Sequence, residues 1–207
     1  MKVAEVNFRA VYKKICLLSS EELFQTIDTK EIFEFEPDEK INAFLTYGYI
    51  NEESRFIFAI LGGAKISDGR IKIFPGSYKK SVQIRRAEFE DADINILSDD
   101  FKNAFQDKIR IIEDENKVDA DKNLIRETKI LDTLRHPNFP DDVVVWINDE
   151  DNSPEQAWIR CEKISGKLIE GILLHELANK NFKIHTGDKI KFGITEFDKE
   201  IIAAMIK

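Results

Sequence analysis

The dipeptide Asp68-Gly69 separates two short strand-like runs, residues 64–67 and 70–74, and this pattern is the strongest local constraint on the chain. Both turn residues tolerate positive φ, which a two-residue hairpin turn requires. The surrounding sequence extends the same reading. Residues 41–50 and 55–61 form a strand pair divided by the polar turn Asn51-Glu52-Glu53-Ser54, and Gly62-Gly63 marks a bulge or bend. Residues 81–85 supply a further strand. Residues 3–12 alternate Val6, Phe8, Ala10 and Tyr12 against more polar neighbours and read as a first strand. Ser19 and Glu22 have the spacing of a capping box, with Leu23, Phe24 and Ile27 as the apolar stripe of the helix behind it. Residues 31–36, where Ile32 and Phe33 mix with acids, continue the β-rich stretch.

After Arg86 the composition turns acidic and the periodicity becomes helical or mixed. Ser98 is placed to cap a helix carrying Phe101, Ala104 and Phe105, and residues 108–112 read as a short strand. Leu124, Ile125, Ile130, Leu131 and Leu134 share one broad helix face, which should end before His136-Pro137 because a residue preceding proline avoids helical geometry. Strands return with the apolar run 143–147 and the alternating run 157–164. Ser165-Gly166 turns the latter into 167–174, and Thr186-Gly187-Asp188 leads into 189–194. Thr195 and Asp198 are positioned to cap a last helix with Phe197, Ile201, Ile202 and Met205 facing inward. The expected fold is α+β. A mainly antiparallel sheet with a helix occupies residues 1–87, and an acidic helical connection follows over 88–140. A small β sheet or barrel closed by a helix ends the chain at 141–207.

The totals exclude several classes. A chain of 207 residues buries a core without staples. Its 15 phenylalanines suit a core built on short strands. A net charge of −8 repels phosphate backbones, which disfavours nucleic acid as a partner. Cys16 and Cys161 stand far apart in apolar surroundings, form no CxxC pair, and read as buried small hydrophobes in a reducing compartment. The first residues hold no apolar leader core, and Ile15-Cys16-Leu17-Leu18 is too short to span a bilayer. The expectation is a cytoplasmic protein without membrane attachment.

No chemistry-bearing motif is complete. His175-Glu176 opens like the zinc motif HExxH, but Asn179 stands where the second histidine must be. His175, Glu176 and His185 meeting across a loop remain the one constellation for a small metal-dependent hydrolase. No G-x-S-x-G elbow, phosphate-binding loop or dinucleotide fingerprint is present. Accordingly no catalytic residue, metal ligand or cofactor is assigned. The standout feature is electrostatic: Lys65, Arg70, Lys72, Lys79, Lys80, Arg85 and Arg86 lie in one stretch with only Asp68 opposing. They read as a basic face for an anionic partner or for the chain's own acidic stretch 88–121, or as a solvated face that blunts a sheet edge. A second asymmetry is the acidic run Asp141, Asp142, Asp149, Glu150, Asp151 and Glu155, read as an exposed turn that presents charge to a basic partner.

Residues 142–194 carry Val143-Val144-Val145-Trp146-Ile147, Ala157-Trp158-Ile159-Arg160, Gly166-Lys167-Leu168-Ile169 and Thr186-Gly187-Asp188-Lys189. This series resembles small β domains of unknown function in bacteria, which occur among proteins associated with toxin immunity. The resemblance implies a bacterial source and a non-catalytic binding role, and it transfers no functional residue. The resulting expectation is a binding or regulatory protein, immunity-like, with a protein partner. A metal-dependent hydrolase and a structural or accessory subunit of a mobile element are the alternatives.

Overall fold

The computed structural model describes residues 1–77, 82–148 and 151–206, and the chain divides into two compact units, Met1–Lys117 and Val118–Lys207. The first unit contains β1 (Ile15–Ser19), β2 (Ala43–Ile50), β3 (Phe56–Ser67), β4 (Arg70–Pro75), β5 (Gln83–Arg85) and β6 (Asp93–Ile96). The order is β4-β3-β2-β1-β6, with β5 also on β3, and every pairing is antiparallel. Helices α1 (Phe8–Val11), α2 (Glu21–Thr26), α3 (Asp100–Asn103) and α4 (Gln106–Glu115) complete this unit.

Both sides of the sheet are buried. Cys16, Leu18, Phe44, Phe56, Phe58 and Ile60 pack with Phe8, Val11 and Leu23. Leu17, Leu45, Tyr47, Ile57 and Ala59 pack with Phe105, Ile109 and Ile112. Covering both faces explains why β1 and β2 are nearly continuous apolar runs instead of alternating ones. The Tyr47 hydroxyl donates to the Glu113 carboxylate and ties α4 to the sheet.

The hairpin at Asp68-Gly69 forms with φ of 49° and 73°. The expected bend is a bulge: Leu45 faces Gly62 and Thr46 faces Ile60, leaving Leu61 unpaired in the register. A Cβ on Gly62 would lie 2.3 Å from the Phe74 carbonyl oxygen, so the close strand approach demands glycine.

Five local expectations for this unit are corrected. Residues 3–12 are not a strand but a 3-10 turn, Val3–Glu5, followed by α1. Ala10 is exposed, while Phe8, Val11 and Tyr12 have helical spacing, and Asn7 caps α1 by accepting the Arg9 amide. The cap of α2 is Ser20, whose Oγ accepts the Leu23 amide at 3.1 Å; Ser19 instead ends β1. Residues 31–36 hold only the end of a 3-10 turn, Thr29–Glu31, capped by Asp28. Residues 108–112 lie inside α4, where Ile109 and Ile112 meet the sheet one turn apart. Ser98 does not cap α3, whose N-cap residue is Asp99. The acidic stretch 88–140 falls partly in each unit, with α4 in the first and α5 (Ala120–Glu127) in the second.

The second unit adds β7 (Arg135–His136), β8 (Phe139–Ile147), β9 (Glu155–Ser165), β10 (Leu168–Leu173), β11 (Lys189–Phe197) and β12 (Glu200–Met205). Strands β8 to β12 form an antiparallel meander, and β12 returns to β8 to close a barrel. An odd number of up-and-down strands makes the first and last run in the same direction, so the closing pair is parallel. Val143, Val145, Ile147, Ile159, Cys161, Phe192 and Ala203 fill the interior with Ile125 of α5.

The chain therefore ends on a strand, which corrects the expected closing helix. Asp198 and Lys199 both take left-handed conformations, φ 50° and 67°, and form a tight turn in place of a helix cap. Ile201, Ala203 and Met205 then alternate inward. The turn after β9 is Gly166-Lys167, one residue later than expected, since Ser165 pairs with Leu168. A second correction concerns the acidic run, because Asp141 and Asp142 are buried. Arg126 binds Asp141 through Nη2–Oδ2 at 2.9 Å and Nε–Oδ1 at 3.1 Å, and Arg160 binds Asp142 at 2.7 and 3.0 Å. Among the described residues, no helix is long and apolar enough to cross a membrane.

Removing one partner from a buried ion pair leaves an uncompensated charge, whereas removing both is far less costly. Arg126→Met is therefore expected to destabilise the second unit by about 3–5 kcal/mol in urea unfolding, and Arg126→Met with Asp141→Leu to recover most of that loss.

Candidate functional site

Among the described residues, the basic side chains singled out in the sequence do not form one continuous face. Lys65 and Lys72 sit opposite each other on β3 and β4, and Arg70 is exposed beside the turn. Lys72 is balanced by Glu39 at 2.8 Å and Asp38 at 3.3 Å, which raise its pKa, and its ammonium lies 5.0 Å from the centre of the Phe74 ring. Arg85 pairs with Glu88 at 3.2 Å. Its surroundings, Glu52, Glu53, Arg55, Gln83 and Glu88, line a polar recess of about 540 Å³ in which Arg55 also pairs with Glu53. Arg86 is buried and donates to the carbonyls of Val3 and Val6, and burial presses its pKa down. It braces the N-terminal segment and presents no charge to a ligand. Lys79 and Lys80 lie outside the described residues.

The histidine constellation is taken up by loop structure. His175 Nε2 accepts the Trp158 amide at 3.2 Å, and Nδ1 lies 3.1 Å from the Glu176 carbonyl oxygen. The Nε2 contact thus holds the chain beyond β10 against β9, and the Nδ1 contact is local to that loop. Glu176 reaches His185 Nδ1 at 3.2 Å and accepts the Thr186 amide at 3.0 Å. The Thr186 amide and then His185 draw the Glu176 carboxyl below the ordinary carboxylate range. Among the described residues, no three His, Cys, Asp or Glu side chains are grouped to hold a metal ion. Burial pushes both cysteine thiols up to about 12. Protonated and enclosed, neither is a nucleophile at neutral pH.

The site that sequence reasoning missed lies on the outside of the barrel, where β12 meets β8. Among the described residues, the seam rests on one register pair, Ala204 with Trp146. Earlier along the same edge of β8, the partner is β7: Arg135 faces Val143, His136 faces Phe139, and the Leu134 carbonyl accepts the Val144 amide at 3.0 Å. With β7 occupying that edge, β12 reaches β8 only near its end.

The result is an open groove of about 630 Å³, lined by Leu134, Val144, Trp146, Phe197, Ile202 and Ala204 among others. The inward residues of β8 and β12 are those of the core, so Val144, Trp146, Ile202 and Ala204 take the outer face by alternation. Phe197, opposite Glu200, is 71% exposed and Trp146 is 37% exposed. Among the described residues lining the groove, Glu200 is the charged one. Outward apolar residues on consecutive strands are not unusual singly; gathered in a groove, they make this the candidate contact surface. The sequence signal was the pair of large apolar residues, Trp146 and Phe197, at positions where strand alternation calls for polar ones.

Searched against protein-family models, curated proteins and solved structures, the chain matches none of them.

Two measurements test this description. A small disulfide-forming thiol probe at neutral pH is expected to label neither cysteine in the native protein and both after unfolding. Because the folded pKa of Glu176 is depressed, its contribution to stability is present above the unfolded carboxylate pKa. That contribution is lost as pH falls through the folded value. NMR titration is expected to show the Thr186 amide signal moving with a midpoint below that of an unperturbed glutamate, and Glu176→Gln to abolish the transition.

Proposed function

We propose that the chain is a binding or regulatory protein whose contact surface for a protein partner is the outer groove at the barrel seam. The observation that carries this reading is the uncovered apolar face formed by Trp146, Phe197 and Ile202. Partner interfaces concentrate aromatic side chains at an apolar centre and place polar groups at the rim, here Asn148, Gln156 and Glu200. The basic hairpin is a weaker candidate because Lys72 is matched by two acids and Arg86 is structural. A hydrolase reading would need His175 free, and its ring nitrogens are committed to backbone groups. In the immunity-like form suggested by the resemblance of residues 142–194, the partner is a toxin and binding silences it.

The test replaces Phe197 with a photo-activatable phenylalanine analogue in the host cell. One discrete protein adduct is expected, and Ile202→Glu is expected to remove it. The same analogue at position 70 samples the hairpin tip. An adduct at position 70 alone, or none at 197 with the chain folded, would return the function to another surface.

A further inference from the structure

We infer that the partner contributes an extended segment bearing lysine or arginine, which adds as a strand along the outer edge of β12. This rests on the binding reading above and specifies what the groove recognises.

Three observations converge on this occupant. The first is a free sheet edge. The turn at Asp198-Lys199 makes Phe197 and Glu200 the closing pair of the hairpin, and the Ile206 amide donates to the Lys191 carbonyl at 2.9 Å. Alternation in an antiparallel ladder then directs the backbone groups of residues 200, 202, 204 and 206 toward β11. Those of Ile201, Ala203 and Met205 point away from it, toward the seam. With Ala204 turned toward β11, the parallel bridge to Trp146 is made by the Ala203 carbonyl and the Met205 amide, and among the described residues no pairing continues along β12 to the Ala203 amide or the Ile201 backbone groups. An exposed edge of this kind is a template for an incoming strand.

The second observation is the wall beside that edge. Ile202, Phe197, Trp146 and Val144 offer apolar contact to every other side chain of an extended segment, matching the period of two of a strand.

The third is charge. Glu200 lines the groove, and its carboxylate has no hydrogen bond or ion pair among the described residues. The hairpin tip around it adds Glu196 and Asp198 against Lys199 alone. A cationic side chain on the incoming segment answers that carboxylate at the rim and steers association with a chain of net charge −8. A second copy docked groove to groove would instead set Glu200 against Glu200.

The experiment uses the full chain as bait for a random peptide library displayed on phage. Enriched peptides are expected to alternate apolar residues and to carry Lys or Arg beside them. Their affinity should disappear with Ile202→Glu and fall about tenfold with Glu200→Gln, and the wild-type affinity should fall as salt is raised. Methylating the peptide amides that face β12 should abolish binding, and methylating the alternate set should not. Both protein variants should keep the wild-type unfolding midpoint, since both side chains point outward.

Enriched peptides without basic residues, peptides that bind Ile202→Glu equally well, or no enrichment on folded protein would overturn strand addition. So would a concentration-dependent dimer lost in Ile202→Glu, which would assign the groove to a second copy. If the analogue at position 197 captures a partner while the peptides fail, the binding function stands and the strand-addition mode falls.

Discussion

Asp141 is wholly buried in the barrel wall, and the second unit is organised around what neutralises it. Arg126 meets its carboxylate through two nitrogens, and the Lys122 ammonium lies 3.9 Å away while donating to the Cys161 carbonyl at 2.7 Å. An isolated carboxylate in such surroundings would cost several kcal/mol. Both cations come from α5, so the charge pair fixes the helix on β8 and β9. Arg135 extends the arrangement by donating to the carbonyls of Ile125 and Pro140 and pairing with Asp132 at 3.1 Å. The chain leaving α5 is thereby held along β8, and β7 forms there.

That placement has a consequence for function. An edge of β8 already occupied by β7 admits β12 only beside Trp146. Among the described residues the barrel closes through one bridge, and the seam toward Ile201 keeps backbone groups and apolar side chains uncovered. The groove is a by-product of how the helix is anchored. That surface offers strand backbone, apolar side chains and the Glu200 carboxylate, the features on which the proposed binding rests.

The first unit shows the opposite tendency. Its sheet is covered on both faces, its outer strand β4 is faced by Asp38 and Glu39 through Lys72, and its most buried arginine braces the N-terminal segment. Of the charges that look like a patch in the linear sequence, Lys72 and Arg85 are paired with acids and Arg86 is internal. Apolar packing settles this unit, with Tyr47 and Lys108 as polar ties, the latter donating to the Ser77 carbonyl at 3.1 Å.

The sequence by itself determined the features that depend on neighbouring residues. Asp68-Gly69 had to turn because both tolerate positive φ, and the alternation of Ala157, Ile159 and Cys161 had to bury one face of a strand. The α+β class followed from such signals. Only tertiary structure decided the rest, because the deciding partners lie far away along the chain. Ile201 and Met205 fit a helix stripe as well as a strand face, and pairing with β11 and β8 selects the strand. Asp141 reads as a surface acid until Arg126 is brought to it, and Arg86 reads as a surface base until Val3 and Val6 enclose it. The groove at the seam was legible only as two aromatic residues out of pattern, since a gap between the first and last strands of a barrel exists only once the barrel has closed.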